Sequence, residues 1–155
     1  MKLLLISLIL NIMPLISNQE TNIQTIYFGG GCFWCVEAVF EDVKGVKDVT
    51  SGYAGGNLKD PSYDQVSSGK TKHAEVCKIT YDTSKIELKD LLKIFFLTHD
   101  PTTLNRQGND IGFHYRSIIL FSNNDDEKTI NEFMLEANRT LYENKIITEV
   151  KKIES

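Results

Sequence analysis

The feature that most constrains this chain is a repeated switch between two apolar periods, one of two residues and one of 3.6, running from Gln24 to Leu141. Strict alternation marks a half-buried strand, whereas apolar residues at i, i+3 and i+4 mark one face of a helix. Residues 24–28 form a short β-rich run stopped by Gly29-Gly30-Gly31. Cys32, Cys35, Val36, Val39 and Phe40 follow at helical spacing, and that helix is expected to end before Gly45. Residues 46–53 predict a second strand, and residues 57–72, with Pro61, paired serines and Gly69, predict a long loop. A third strand is expected over 73–81, with Cys77, Ile79 and Tyr81 inward and Lys78 and Thr80 outward. Leu88, Leu91, Leu92, Phe95 and Phe96 mark a second amphipathic helix, broken at His99-Asp100-Pro101. A polar loop runs through Gly112 to a fourth strand expected over 115–121. The last helix starts near Asn124, with Ile130, Phe133, Met134, Ala137 and Leu141 facing inward.

The order β-α-β, β-α-β, α predicts an α+β fold: a two-layer α/β sandwich, ferredoxin-like (βαββαβ plus a C-terminal helix), with helices on one face and a single core. At 155 residues the chain has room for one domain. Its net charge of -4, without basic runs, excludes a footprint for nucleic acid and a polybasic patch for anionic lipid. A monomer is expected, with no stable membrane partner beyond a possible leader. That leader is residues 1–22: Lys2, an apolar run over 3–17 of signal-peptide length, then a polar spacer before a domain over 23–155. Export to the periplasm or outside the cell is the expectation if it functions; otherwise the chain is membrane-tethered or cytoplasmic. Asn138-Arg139-Thr140 matches a glycosylation sequon inside an expected helix.

Three cysteines make an odd count and no disulfide framework, so each thiol is weighed by itself. Cys32 follows a strand and three glycines and opens a helix, where free backbone N–H groups and the helix dipole favour a thiolate. A small buried residue would suit the same position. Phe33 and Trp34 are adjacent aromatics, and neighbouring helix positions point apart, so at least one ring should stand at the surface near the thiol. Cys35 lies one turn on, a Cys-x-x-Cys spacing that allows it to resolve a Cys32 sulfenic acid. Cys77, on an inward strand face, reads as core.

Gly31-Cys32-Phe33-Trp34-Cys35 resembles the active-site signature of the A-type peptide methionine sulfoxide reductases. The other motifs of that family follow in its order: Ser51-Gly52-Tyr53 with Gly55-Gly56, Pro61-Ser62-Tyr63, His73-Ala74-Glu75, His99-Asp100-Pro101, Arg106-Gln107-Gly108-Asn109-Asp110 and Tyr115-Arg116-Ser117. The resemblance implies reduction of the S-epimer of methionine sulfoxide, free or in proteins, with a thioredoxin-like protein as reductant. It assigns attack to Cys32, the proton to Glu75, hydrogen bonds on the oxygen to Tyr63 and Tyr115, organisation of the site to Asp110, and the substrate methyl group to Phe33 and Trp34. The residue types suit that chemistry, since a sulfoxide oxygen departs only when protonated and two phenols can stabilise developing charge. No metal and no cofactor is expected: two cysteines and His73 supply no second ligand pair for zinc. His73 is expected to orient Glu75, and His99 to sit in a turn.

The chain departs from the family pattern in places. Asp60 stands where asparagine is usual, Lys72 where glycine is usual, and Phe113-His114 where a small residue and glutamine precede the tyrosine. The family's aromatic and acidic C-terminal tail, which often carries resolving cysteines, is not found after Val150. Two other functions therefore stand beside the reductase: a general dithiol–disulfide exchanger using Cys32 and Cys35, and an inactive, tail-less binding module.

Overall fold

The computed structural model describes residues 22–153; the leader, over 1–22, falls almost wholly outside the described residues. Seven strands and four helices follow in the order β1 (Ile23–Gly29), α1 (Phe33–Glu41), β2 (Val46–Ala54), α2 (Tyr63–Ser67), β3 (Ala74–Asp82), α3 (Leu88–Thr98), β4 (Arg106–Gln107), β5 (Asp110–Ile111), β6 (Ile118–Phe121), α4 (Asn124–Thr140) and β7 (Glu149–Lys152). The main sheet has the order β2-β3-β1-β6-β7. β3 lies antiparallel between β2 and β1, and β6 antiparallel to β1, which is the ferredoxin-like pattern expected from the element order. β7 adds a parallel edge strand beside β6.

Strand parity decides what each face carries. Cys77, Ile79 and Tyr81 of β3 are fully buried and join Ile26, Phe28, Ile119 and Phe121 under the helices. Phe40 of α1, Leu91, Leu92 and Phe95 of α3, and Ile130 of α4 fill the same layer, each side chain contributing roughly 1.5–3 kcal/mol by leaving water. The alternate positions do not face solvent as a single core would require. Ala74, Val76, Ile118 and Leu120 form a second, smaller apolar cluster on the helix-free face, with Tyr27, Ala54 and Ile153 against it.

The structure corrects several sequence expectations. The loop over 57–72 contains α2, started by a capping box in which Ser62 and Gln65 exchange side-chain and backbone hydrogen bonds. The fourth strand begins only at Ile118, because residues Phe113–Tyr115 turn as a short 3-10 segment instead. Leu141 is the exposed cap residue of α4, not a core residue. The helix start was legible: Asn123 accepts the Asp126 N–H at 2.7 Å, and Asp125, Asp126 and Glu127 meet the positive end of the dipole. Asn138 of the sequon already has a structural role, its side-chain oxygen accepting the Ile146 N–H at 2.9 Å.

Candidate active site

The site is built where β1 hands over to α1. Gly31 has a φ of +94°, and a Cβ there would lie 2.7 Å from the Gln107 side chain, so only glycine makes this turn under the β4–β5 hairpin. Gly30 lies against the His99 ring. Cys32 is then the N-cap residue of α1, half-buried, its carbonyl accepting the Cys35 N–H at 3.0 Å. Its side chain takes no capping hydrogen bond from the helix. One of the N–H groups expected to be free is used elsewhere: Phe33 N–H donates to the Glu75 carboxylate at 3.1 Å.

That hydrogen bond follows from register. Glu75 shares its strand face with Cys77, so the parity that buries Cys77 also turns Glu75 toward α1. Glu75 is only 3% exposed. Burial holds its carboxyl above the usual range, the Phe33 N–H pulls it down, and the Asp110 carboxylate pushes it up again. Tyr115, at the end of the 3-10 turn, is pushed up to about 12 by burial and then by Glu75, Tyr63, Asp110 and Cys32. It therefore keeps its proton and remains a donor at neutral pH. The Cys35 residue is exposed, but its sulfur lies against Cys32. Partial burial, the Cys32 charge and hydrogen bond, and Asp110 hold that thiol up. Tyr115 thus feels Glu75, Tyr63, Asp110 and Cys32, and Cys35 feels Cys32 and Asp110.

The aromatics divide as adjacent helix positions require. Trp34 is 70% exposed, while Phe33 is half-buried between Trp34 at 5.6 Å and Tyr53 at 5.7 Å, centroid to centroid. Tyr63 is exposed at the start of α2. Cys77 is core, as expected, with burial pushing its thiol up to about 11 and its S–H donating to the Phe33 carbonyl at 3.1 Å. The peptide groups of Phe33 are therefore held on both sides, by Glu75 and by Cys77.

Three residues, Tyr53, His99 and Arg116, have a greater part than the sequence suggested. Tyr53, quoted only within a motif, lies at the site, held up by burial and by the nearby Glu75 and Tyr63. His99 is no mere turn residue: its ring stacks on Phe95 at 4.0 Å, Nδ1–H donates to the Phe95 carbonyl at 2.6 Å, and Nε2 meets the Ser117 hydroxyl at 2.7 Å. Burial lowers its basicity, and the ring supports the glycine turn before Cys32. Arg116, 4% exposed, donates to the carbonyls of Phe113 and Lys72 at 3.1 Å each and so ties the turn bearing Tyr115 to the approach to β3. Lys72 has a φ of 60° and Asp60 one of 48°, the left-handed region that suits the glycine and asparagine expected at these positions. His73 makes no hydrogen bond to Glu75; its backbone N–H donates to Thr71 Oγ1 at 3.4 Å, and its ring packs on Gly56. Among the described residues, no three His, Cys, Asp or Glu side chains are grouped to hold a metal ion.

The sequence profile of the family described as "Peptide methionine sulfoxide reductase" matches residues 24–155. The chain belongs to this family. It is 55% identical over 130 residues to the peptide methionine sulfoxide reductase MsrA of Trichodesmium erythraeum, covering 83% of this chain and 73% of that one. The crystal structure of reduced Mxr1 from Saccharomyces cerevisiae aligns with a TM-score of 0.81 and 34% identity, over 86% of this chain and 77% of the yeast chain. A structure of Mxr1 in complex with Trx2 shares the fold, with a TM-score of 0.66 at 24% identity over 92% of this chain and 84% of the other. Thiol-dependent reduction of methionine sulfoxide is accordingly the activity of this chain, and general disulfide exchange is not favoured.

Proposed function

We propose that Cys32 is the nucleophile of this reductase and that its substrate is the S-epimer of methionine sulfoxide, free or within proteins. The observation that carries the assignment is the buried Glu75 carboxyl, held by the N–H of the residue next to Cys32. Attack of the Cys32 sulfur on the sulfoxide sulfur moves electrons onto the oxygen, which takes a proton from Glu75 as its bond to the substrate breaks. The protonated oxygen leaves as water and a sulfonium joins the two sulfurs; water then adds to the Cys32 sulfur, methionine leaves as that bond breaks, and Cys32 becomes a sulfenic acid. Tyr115 and Tyr63 donate hydrogen bonds to the sulfoxide oxygen as charge develops, while burial first, and Asp110 after it, favour the protonated form of Glu75. Phe33 and Trp34 offer ring faces to the methyl group, and the thioether product suits the same contact.

Cys35 resolves the sulfenic acid: its sulfur attacks that of Cys32, water departs, and a disulfide remains. Burial first, and the neighbouring Cys32 sulfur after it, hold the Cys35 thiol up. A thioredoxin-like dithiol then returns both cysteines to the reduced state; the complex of yeast Mxr1 with Trx2 supports this class of partner. We also propose that residues 1–22 are an export leader, that the domain over 23–155 uses Cys35 as its resolving thiol, and that it works as a monomer. Mass spectrometry of the mature N-terminus tests the leader.

The experiment for the central assignment is epimer-resolved turnover with a dithiol reductant. The wild-type enzyme should consume the S-epimer and spare the R-epimer, and Cys32→Ser should abolish even a single turnover. Equal consumption of both epimers, or activity in Cys32→Ser, rejects it.

A further inference from the structure

A groove of about 900 Å³ crosses the helix-free face of the sheet, from Tyr53 and Ala54 at the end of β2 to Lys151 and Lys152 of β7 and Ile153 just beyond it. Its floor is apolar, because Leu120 there belongs to the second cluster with Ala74, Val76 and Ile118. Its charge has one sign. Lys59, Lys72, Lys151 and Lys152 line it, and no aspartate or glutamate does. In a chain of net charge -4 this is a local inversion. Lys151 is paired with Glu149 at 2.8 Å, and Lys152, in register with Phe121 of the helix-side core, sends its ammonium to Asn124 at 3.3 Å, so the groove's unpaired charge comes from Lys59 and Lys72. Lys59 and Lys72 enter none of the ion pairs among the described residues.

The groove lies on the sheet face opposite Glu75 and α1, and it meets the end of the sheet that carries the site at two points. Tyr53, at one end, has its ring 5.7 Å from that of Phe33. Lys72 and His73 line the groove and lead directly into β3, so Lys72 is three residues from Glu75, roughly 10 Å of extended chain. An apolar floor under a cationic rim fits an extended polypeptide that mixes apolar and acidic side chains.

Building on the reading of Cys32 and Glu75 as the reductase site, we propose that this groove binds the polypeptide flanking an oxidised methionine and selects substrates with acidic residues roughly three to five positions away. The surface makes the enzyme a repairer of acidic segments. The lysines act on substrate choice and not on the bond-breaking step.

The test compares two peptides, each with one central S-epimer methionine sulfoxide, carrying aspartates or lysines at those flanking positions on both sides. A small-molecule dithiol serves as reductant, so that no protein reductant competes for the surface. Wild-type kcat/KM should favour the acidic peptide by about fivefold or more at low ionic strength, shrinking toward equality in high salt. The double charge reversal Lys59→Glu with Lys72→Glu should invert the order, an outcome that only a folded enzyme can give. Equal wild-type rates at low salt, or a preference unchanged in the double variant, overturns the proposal. Peptides reduced without bias, together with retention on anionic vesicles that the double variant loses, overturns it in favour of a lipid surface. Wild-type turnover of free methionine sulfoxide is measured alongside. If it is absent, the reductase reading fails; if it is present with unbiased peptides, only the groove assignment fails.

Discussion

Glu75→Gln separates proton supply from architecture. The wild-type carboxyl is 3% exposed and accepts the Phe33 N–H at 3.1 Å. Glutamine offers a similar acceptor at the same place but no acidic proton. General acid catalysis contributes about 10²- to 10⁴-fold, or roughly 3–5.5 kcal/mol at about 1.4 kcal/mol per tenfold. The rate of a single turnover should therefore fall at least about a hundredfold at neutral pH, while Tm changes little. The pH profile gives a second readout. Burial and Asp110 raise the Glu75 carboxyl above its ordinary 4.5 against the pull of the Phe33 N–H. The acid thus stays protonated to higher pH than an exposed glutamate, and the wild-type rate should decline as pH rises through its folded value. Glu75→Gln should lack that limb, and Asp110→Asn, which removes one upward push, should move it to lower pH. The assay is rapid-quench measurement of methionine formed per enzyme across pH. A Glu75→Gln enzyme within about twofold of wild type at every pH would refute the assignment of proton donor.

Cys35→Ser should complete one turnover and then stop, leaving a Cys32 sulfenic acid that a dimedone-type probe traps; sustained turnover with a dithiol would remove Cys35 from the cycle. Lys72→Gly should stabilise the fold by about 1 kcal/mol in denaturant titration, since Lys72 has a φ of 60° where glycine is unstrained. His99→Ala should cost about 3 kcal/mol, roughly 10 °C in Tm, through loss of the ring on Phe95 and of its bonds to Phe95 and Ser117. Burial also depresses His114 below its ordinary 6.5, so the unfolded chain takes up that proton first and stability is lost as pH falls below that value. His114→Gln should therefore retain more of its neutral-pH Tm in mild acid than wild type does, by calorimetry at both pH values.

Much of the site was visible because local chemistry announces itself locally. Gly31-Cys32-Phe33-Trp34-Cys35 is a contiguous turn and helix start, and the structure keeps it as such. Glu75 could be listed as a candidate from its motif, but nothing local says that it would be buried, since a strand glutamate is ordinarily solvated. Its burial depends on which parity of β3 faces the helices, and on α1 ending its first peptide against that face. His99 sits in the turn after α3 as expected, but its further role was hidden for the same reason: its partner Ser117 is eighteen residues away and meets it only after folding.

The sequence alone determined the alternation of strands and helices, the ferredoxin-like order and the thiol at the mouth of α1, because apolar period, glycine turns and capping residues act over a few positions. It did not determine β7, whose residues Glu149–Lys152 have no strong apolar pattern and pair only because β6 presents an open edge. Nor did it determine the lysine-lined groove, since Lys59, Lys72, Lys151 and Lys152 come from segments far apart in the chain. Those features belong to the tertiary structure, which brings distant charges and distant backbone edges to one place after the local elements have formed.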